Sequence, residues 1–321
     1  MAIDGKAKAS RHRWAWQSVA AVVTVSTVVA AGLPACSQPS LASLPTPFSP
    51  SSPWRQELPS NPPIDPGSAA MIAAVQPEPA LYANLVEFGI PIYETDSNTP
   101  SHAVNCTVVD FGECPFDGWQ VLIPDAAVPN SGSDGVLVTV DESRAISFEF
   151  WRAVKSGNKW STSFGAVNSL SGSGWGGAAT GSGASRLAGV IRLEEIAAGV
   201  IPHVLALQTS NACNTFRPPA LKSDGDSTRA DCLPEGARLQ LDPSLDLSKL
   251  NLSAGEMAVA TAMQRFGGYV MDVSGAPLSV SFELDTNAAP GTLGTVYQDA
   301  GFRWDYDAME RIPWDKLRVL K

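Results

Sequence analysis

The chain has 321 residues, with 22 basic against 32 acidic side chains and a net charge of −10. That length allows one large domain or two small ones, and the acidic balance excludes a general phosphate-binding surface. Its 27 glycines and 25 prolines exclude helical bundles and coiled coils, while a hydrophobic content of 44% supplies a sizeable core.

At the N-terminus, Lys6, Lys8, Arg11 and Arg13 precede an apolar run from Trp14 to Gly32 and then Leu33-Pro34-Ala35-Cys36. Leucine three residues before a cysteine, with a small residue directly before it, resembles a bacterial lipobox. On this reading residues 1–35 are a lipoprotein-type signal, cut before Cys36, which carries lipid and tethers the chain to the membrane. A plain secretory signal and an uncleaved membrane helix are the alternatives. All three export the rest of the chain, to the outer face of the cytoplasmic membrane or beyond it. Without the signal the balance is 18 basic against 31 acidic, net −13. Such a surface repels nucleic acid and anionic lipid, so the lipid on Cys36 is the expected membrane contact. Residues 36–67 are rich in Ser and Pro and read as an extended tether. Residues 68–321 then form a single β-rich extracytoplasmic domain.

Four further cysteines agree with export. Proximity along the chain favours Cys106 with Cys114 and Cys213 with Cys232 among the three pairings. No C-x-x-C spacing suggests zinc, and no metal or cofactor is expected.

In chain order, Ser68–Val75 reads as a helix broken by Pro77 and Pro79, with a further helical turn over Leu81–Phe88. Strands follow at Trp119–Ile123, Gly135–Asp141, Ala145–Ala153 and Lys159–Phe164, the last two paired through a turn at Gly157. Ser169–Ser185 is rich in Gly and Ser and reads as a long surface loop. A short helix over Arg192–Ala198 stops at Gly199. Strands at Val204–Thr209 and Ala237–Leu241 come next. Ser253 and Glu256 make a capping box for a helix reaching about Phe266. Tyr269–Val273 and Leu278–Leu284 flank Ser274-Gly275-Ala276-Pro277, which reads as a hairpin turn. The expected fold class is mainly β, a β-sandwich or jelly roll with a few short peripheral helices.

The chemistry is bounded by histidine. Only His102 and His203 follow the signal, so no three-histidine metal site exists in one chain, and H-E-x-x-H is absent. A G-x-S-x-G elbow around Ser173 needs glycine at 171, which is serine. His203, in an apolar strand-like run, reads either as an acid–base group or as a core histidine. Along the strand Phe148 and Phe150 share one face, and Ser147, Glu149 and Trp151 share the other. A carboxylate beside an aromatic plate suits a sugar ring, so Glu149 and His203 are the catalytic candidates, with Trp151, Trp175 and Asp134 contacting the ligand. Asp134, Glu283 and Asp141 are candidates for a second carboxylate. Ser223-Asp224-Gly225-Asp226-Ser227 with Asp231 would suit calcium by its hard oxygens, but it lacks the EF-hand spacing and reads as a solvated turn.

Several phrases together resemble a family of exported actinobacterial proteins. They are Ser133-Asp134-Gly135, Glu149–Trp151, Leu193–Leu207 with His203, Ser223-Asp224-Gly225, Pro234-Glu235-Gly236-Ala237-Arg238-Leu239 and Gln264-Arg265-Phe266-Gly267. The resemblance covers residues 54–321. It implies one domain across that span and an actinobacterial cell envelope, and it brings no reaction with it. A histidine often follows the Ser-Asp-Gly step in that pattern, where this chain has Val136. The functional expectation is a surface-anchored lipoprotein that binds or processes carbohydrate, with cell-wall polysaccharide as a partner. The alternative is a non-catalytic envelope lipoprotein that binds a protein or glycan.

Overall fold

The computed structural model describes residues 47–75, 80–177 and 179–321. The signal, Cys36, the start of the tether, Pro77 and Pro79 lie outside the described residues. Among those described, no helix is long and apolar enough to cross a membrane.

The fold is mainly β. Two sheets organise it. Their strands are β1 (Tyr82–Asn84), β2 (Ile92–Thr95), β3 (Leu137–Asp141), β4 (Ile146–Trp151), β5 (Phe164–Ser169), β6 (Leu205–Thr209), β7 (Arg238–Leu241), β8 (Gly268–Val273), β9 (Ser279–Ser281) and β10 (Leu317–Val319). The larger sheet is mixed, in the order β1-β9-β6-β8-β7-β10, and the smaller runs β5-β4-β3-β2. The helices are α1 (Ser68–Ala74), α2 (Leu193–Ala198), α3 (Ala254–Arg265) and α4 (Thr295–Asp299). Gly199 at φ 69° ends α2. Ser253 and Glu256 cap α3 reciprocally, as their spacing predicts.

Period-2 alternation distributes side chains between layers. Leu205 and Leu207 of β6, with Leu239, Val270 and Val280, pack against Val259 and Met263 of α3 and Ile196 of α2. Ala206, Tyr269 and Met271 point the other way and share a core with Val138 and Val140 of the smaller sheet. Leu137, Phe148 and Phe150, on the far face of that sheet, pack with Phe116, Val121 and Trp160. The disulfide Cys106–Cys114 staples the rim of this last cluster, and Cys213–Cys232 closes a loop beside β8. Both are the pairs favoured by proximity.

Several expectations are corrected. The chain from Leu81 to Phe88 holds strand β1, parallel to β9, instead of a helical turn. β8 and β9 are not a hairpin, because β6 lies between them, paired with both. Every residue of β6 is buried, as suits a strand in the interior of the sheet. Lys159–Thr162 pairs with Val154–Ser156, and it is β5 that pairs with β4. Residues 47–67 are not a free tether. Phe48 and Trp54 are buried, and backbone bonds tie the segment to Leu170, Gly172 and Arg265. The Gly/Ser-rich stretch is likewise packed, with Ala179, Thr180, Ser182, Ala184 and Ser185 buried, because small side chains fit between the layers.

Candidate functional site

Three acid–glycine steps, Asp134-Gly135, Asp224-Gly225 and Glu235-Gly236, bring carboxylates to one region. The glycines are steric requirements at two of them. Gly236 has φ 84°, and a Cβ there would lie 1.9 Å from the Arg217 carbonyl oxygen. A Cβ on Gly225 would lie 2.3 Å from the Cys213 carbonyl oxygen. Each glycine therefore lets the chain turn tightly behind its acidic neighbour.

The region is a cleft with two adjoining lobes. The first, about 710 Å³, is bordered by Tyr82, Phe88, Asn130, Gln208 and Tyr306. The second, about 590 Å³, is bordered by Phe111, Trp151, Phe164, Lys222 and Asp224. Asp134, Arg186 and Asp272 belong to both lobes and mark their junction. Phe111 meets Phe164 edge-on at 5.5 Å between centroids and Trp151 at 6.1 Å, forming an aromatic wall. The Trp151 indole N–H donates to Asp134 Oδ1 at 3.3 Å, and the Arg152 guanidinium lies 4.4 Å above the same ring. These contacts orient the Trp151 plate at the mouth of the second lobe.

Arg186 holds the junction. Its Nη1 pairs with Asp272 Oδ2 at 2.9 Å and its Nη2 donates to the Ala179 carbonyl at 2.6 Å. The Gly181 N–H donates to Asp272 Oδ1 at 3.1 Å. Burial and the neighbouring Asp224 carboxylate push Asp272 up to about 6, against the pull of Arg186. Behind Asp224, Glu235 is fully buried, and neither of its side-chain oxygens meets an N–H or O–H donor. Burial, then the facing Asp224, pushes it up to about 9.

Of the residues singled out from sequence, Asp134, Trp151 and, from the acidic loop, Asp224 line this cleft. The other candidates stand elsewhere. Glu149 does not occupy an open face: it points between the two sheets, has no exposed surface, and accepts bonds from Ser147, Ser185 and the Arg186 N–H. Burial raises its pKa. His203 borders a void of about 10 Å³, with Trp54 and Glu195. Its Nδ1 faces the Val204 carbonyl at 2.9 Å and its Nε2 faces Glu195 at 3.1 Å. Two acceptors on one ring favour the doubly protonated form. Burial opposes that charge, Glu195 outweighs it, and the pKa is raised. Trp175 is not among the residues lining the two lobes: it stacks on Trp54 at 5.1 Å and meets Tyr269 edge-on. Asp141 is buried against Arg144, and Glu283 pairs with Arg192 at 2.7 Å. Arg186, Glu235 and Asp272 are the site residues that sequence reasoning missed. The repeated acid–glycine step was the available signal for Glu235.

Compared with protein-family models, curated proteins and solved structures, the chain matches none of them.

Proposed function

We propose that this chain is an exported, lipid-anchored protein whose β-rich domain binds carbohydrate in the two-lobed cleft. The observation that carries the reading is the second lobe, which the Phe111–Trp151–Phe164 wall and the carboxylates of Asp134, Asp224 and Asp272 line together. A sugar ring presents a C–H face to aromatic plates and hydroxyl hydrogens to carboxylates at its edge. Arg186 and Lys222 add donors for ring oxygens or uronate groups. The combined lobes have room for more than one sugar ring across the junction. The layering of two sheets over a shared core fits the sandwich-like architecture that the strand pattern predicts. The Leu33–Cys36 pattern supports the anchor, and two disulfides suit an oxidising compartment.

A second reading, cleavage of the bound glycan, is favoured by one observation. Asp134 and Asp272 both face the lobe junction, close enough for the charge on Asp134 to raise the pKa of Asp272. Glycosidic hydrolysis uses such carboxylate pairs.

The test is retention of the purified full chain on a panel of immobilised polysaccharides, cell-wall fractions included, with released reducing ends read in parallel. The expected result is retention that falls about tenfold in affinity in Trp151→Ala, in line with the worth of aromatic stacking. Reducing ends that disappear in Asp134→Asn would decide for cleavage. No retention on any polysaccharide would overturn the carbohydrate reading and turn the search to a protein partner of the envelope.

A further inference from the structure

We propose that Asp224, Glu235 and Asp272 form a binding site for a divalent cation of the calcium class on the wall of the second lobe. One carboxylate oxygen from each lies within 4.8 Å of the others. A calcium ion with oxygen bonds of about 2.3–2.6 Å places opposite ligand oxygens about 4.6–5.2 Å apart, so the three fit one coordination sphere. Magnesium, at about 2.0–2.1 Å, spans about 4 Å and asks for a tighter octahedron. The all-oxygen donor set belongs to hard cations, and no histidine or free thiol is among the three.

Glu235 is the independent sign that something binds there. It is completely buried, its carboxylate meets no hydrogen-bond donor of the chain, and it is aimed at two other carboxylates. A buried acid among acids is costly unless a proton or a cation lies between them. Of the chain's own cations, Arg186 pairs with Asp272 from the side of the lobe junction, and Lys222 acts on Glu235 through its field without bonding it.

The chain builds the site from three separate pieces. Asp224 comes from the loop closed by Cys213–Cys232, Glu235 ends the strand Leu233–Glu235, and Asp272 sits on β8. Gly181 presses on it from above: its N–H holds Asp272, and a Cβ there would fall 2.2 Å from Asp224 Oδ1. Of the acidic loop that sequence reading treated as a solvated turn, only Asp224 joins the site. Asp226 is exposed, and Asp231 pairs with Arg229 at 2.7 Å. A bound cation would fasten the disulfide loop to β8 and present its open coordination positions beside the lobe. The site stands whether or not the cleft takes carbohydrate.

The experiment is calcium titration of the purified, EDTA-stripped full chain, followed by calorimetry and thermal melting, with magnesium as the comparison. The expected result is one equivalent of calcium bound saturably, a rise in melting temperature, and weaker binding of magnesium. Glu235→Gln and Asp224→Asn each lose at least tenfold in calcium affinity, whereas Asp226→Asn binds as the wild type does. Asp224 is exposed, so Asp224→Asn carries the test if Glu235→Gln fails to fold. Absence of saturable calcium binding in the wild-type chain, or unchanged affinity in Asp224→Asn, overturns the proposal and leaves a proton shared between Glu235 and Asp224 as the sole means of holding the pair.

Discussion

The backbone N–H of Arg186 donates to Glu149 Oε2 at 2.6 Å, while the side chain of the same arginine reaches Asp272 on β8. A carboxylate from the smaller sheet thereby fixes the residue that pairs with a carboxylate of the larger one. Glu149 acts on the cleft through this link and has no surface in it.

Glu149→Ala is therefore expected to be a stability mutation. It leaves the Ser147 and Ser185 hydroxyls and the Arg186 N–H without their acceptor, at a cost of about 3 kcal/mol. Glu149→Gln keeps the shape and one acceptor oxygen and loses less. Urea unfolding measures both. A wild-type midpoint in Glu149→Ala would show that the buried bonds contribute nothing.

The His203–Glu195 pair makes a pH prediction. Glu195 raises the folded pKa of His203 above its ordinary value, and Arg192 opposes it. A raised pKa gives a contribution that is complete below the unfolded value, near 6.5, and is lost as pH rises through the folded value. Wild-type stability should therefore fall over that rise more steeply than the stability of His203→Gln. Melting curves of the two proteins, collected across the neutral range, give the difference directly. Parallel curves would mean that the folded and unfolded pKa values of His203 coincide, and a wild-type stability that rises with pH relative to the variant would mean that the ring stays neutral in the folded protein.

Trp54 tests where the domain begins. It is 1% exposed, stacks on Trp175 and meets Tyr269 edge-on at 5.2 Å. Trp54→Ala should cost about 3–5 kcal/mol, the usual range for truncating a buried aromatic. Chemical denaturation followed by circular dichroism provides the number. A change below 1 kcal/mol, on the scale of an exposed substitution, would return residues 47–67 to the status of a tether.

Trp54 also illustrates why some of the architecture was hidden in the sequence. Its neighbours are prolines and serines, and the composition of 36–67 is that of a linker. One large ring inserted between two sheets outweighs that composition, because burying an aromatic of this size supplies more free energy than its flexible neighbours lose on ordering. The Gly/Ser-rich stretch misled in the same way. Its small side chains are what allow Gly177 and Gly181 to lie against Asn168 and Asp224.

The features legible along the chain are local. The capping box of α3, the Gly199 stop of α2, the two disulfide pairs and the alternation that sends Phe148 and Phe150 to one face all follow from interactions within about twenty residues. It takes the folded chain to set β6 between β8 and β9, to cover the Glu149 face, and to bring Asp134, Asp224, Glu235 and Asp272 together. Alternation assigns residues to two faces of a strand, but packing against distant chain decides which face meets solvent. The convergence of four acids from separate segments has no local period to announce it.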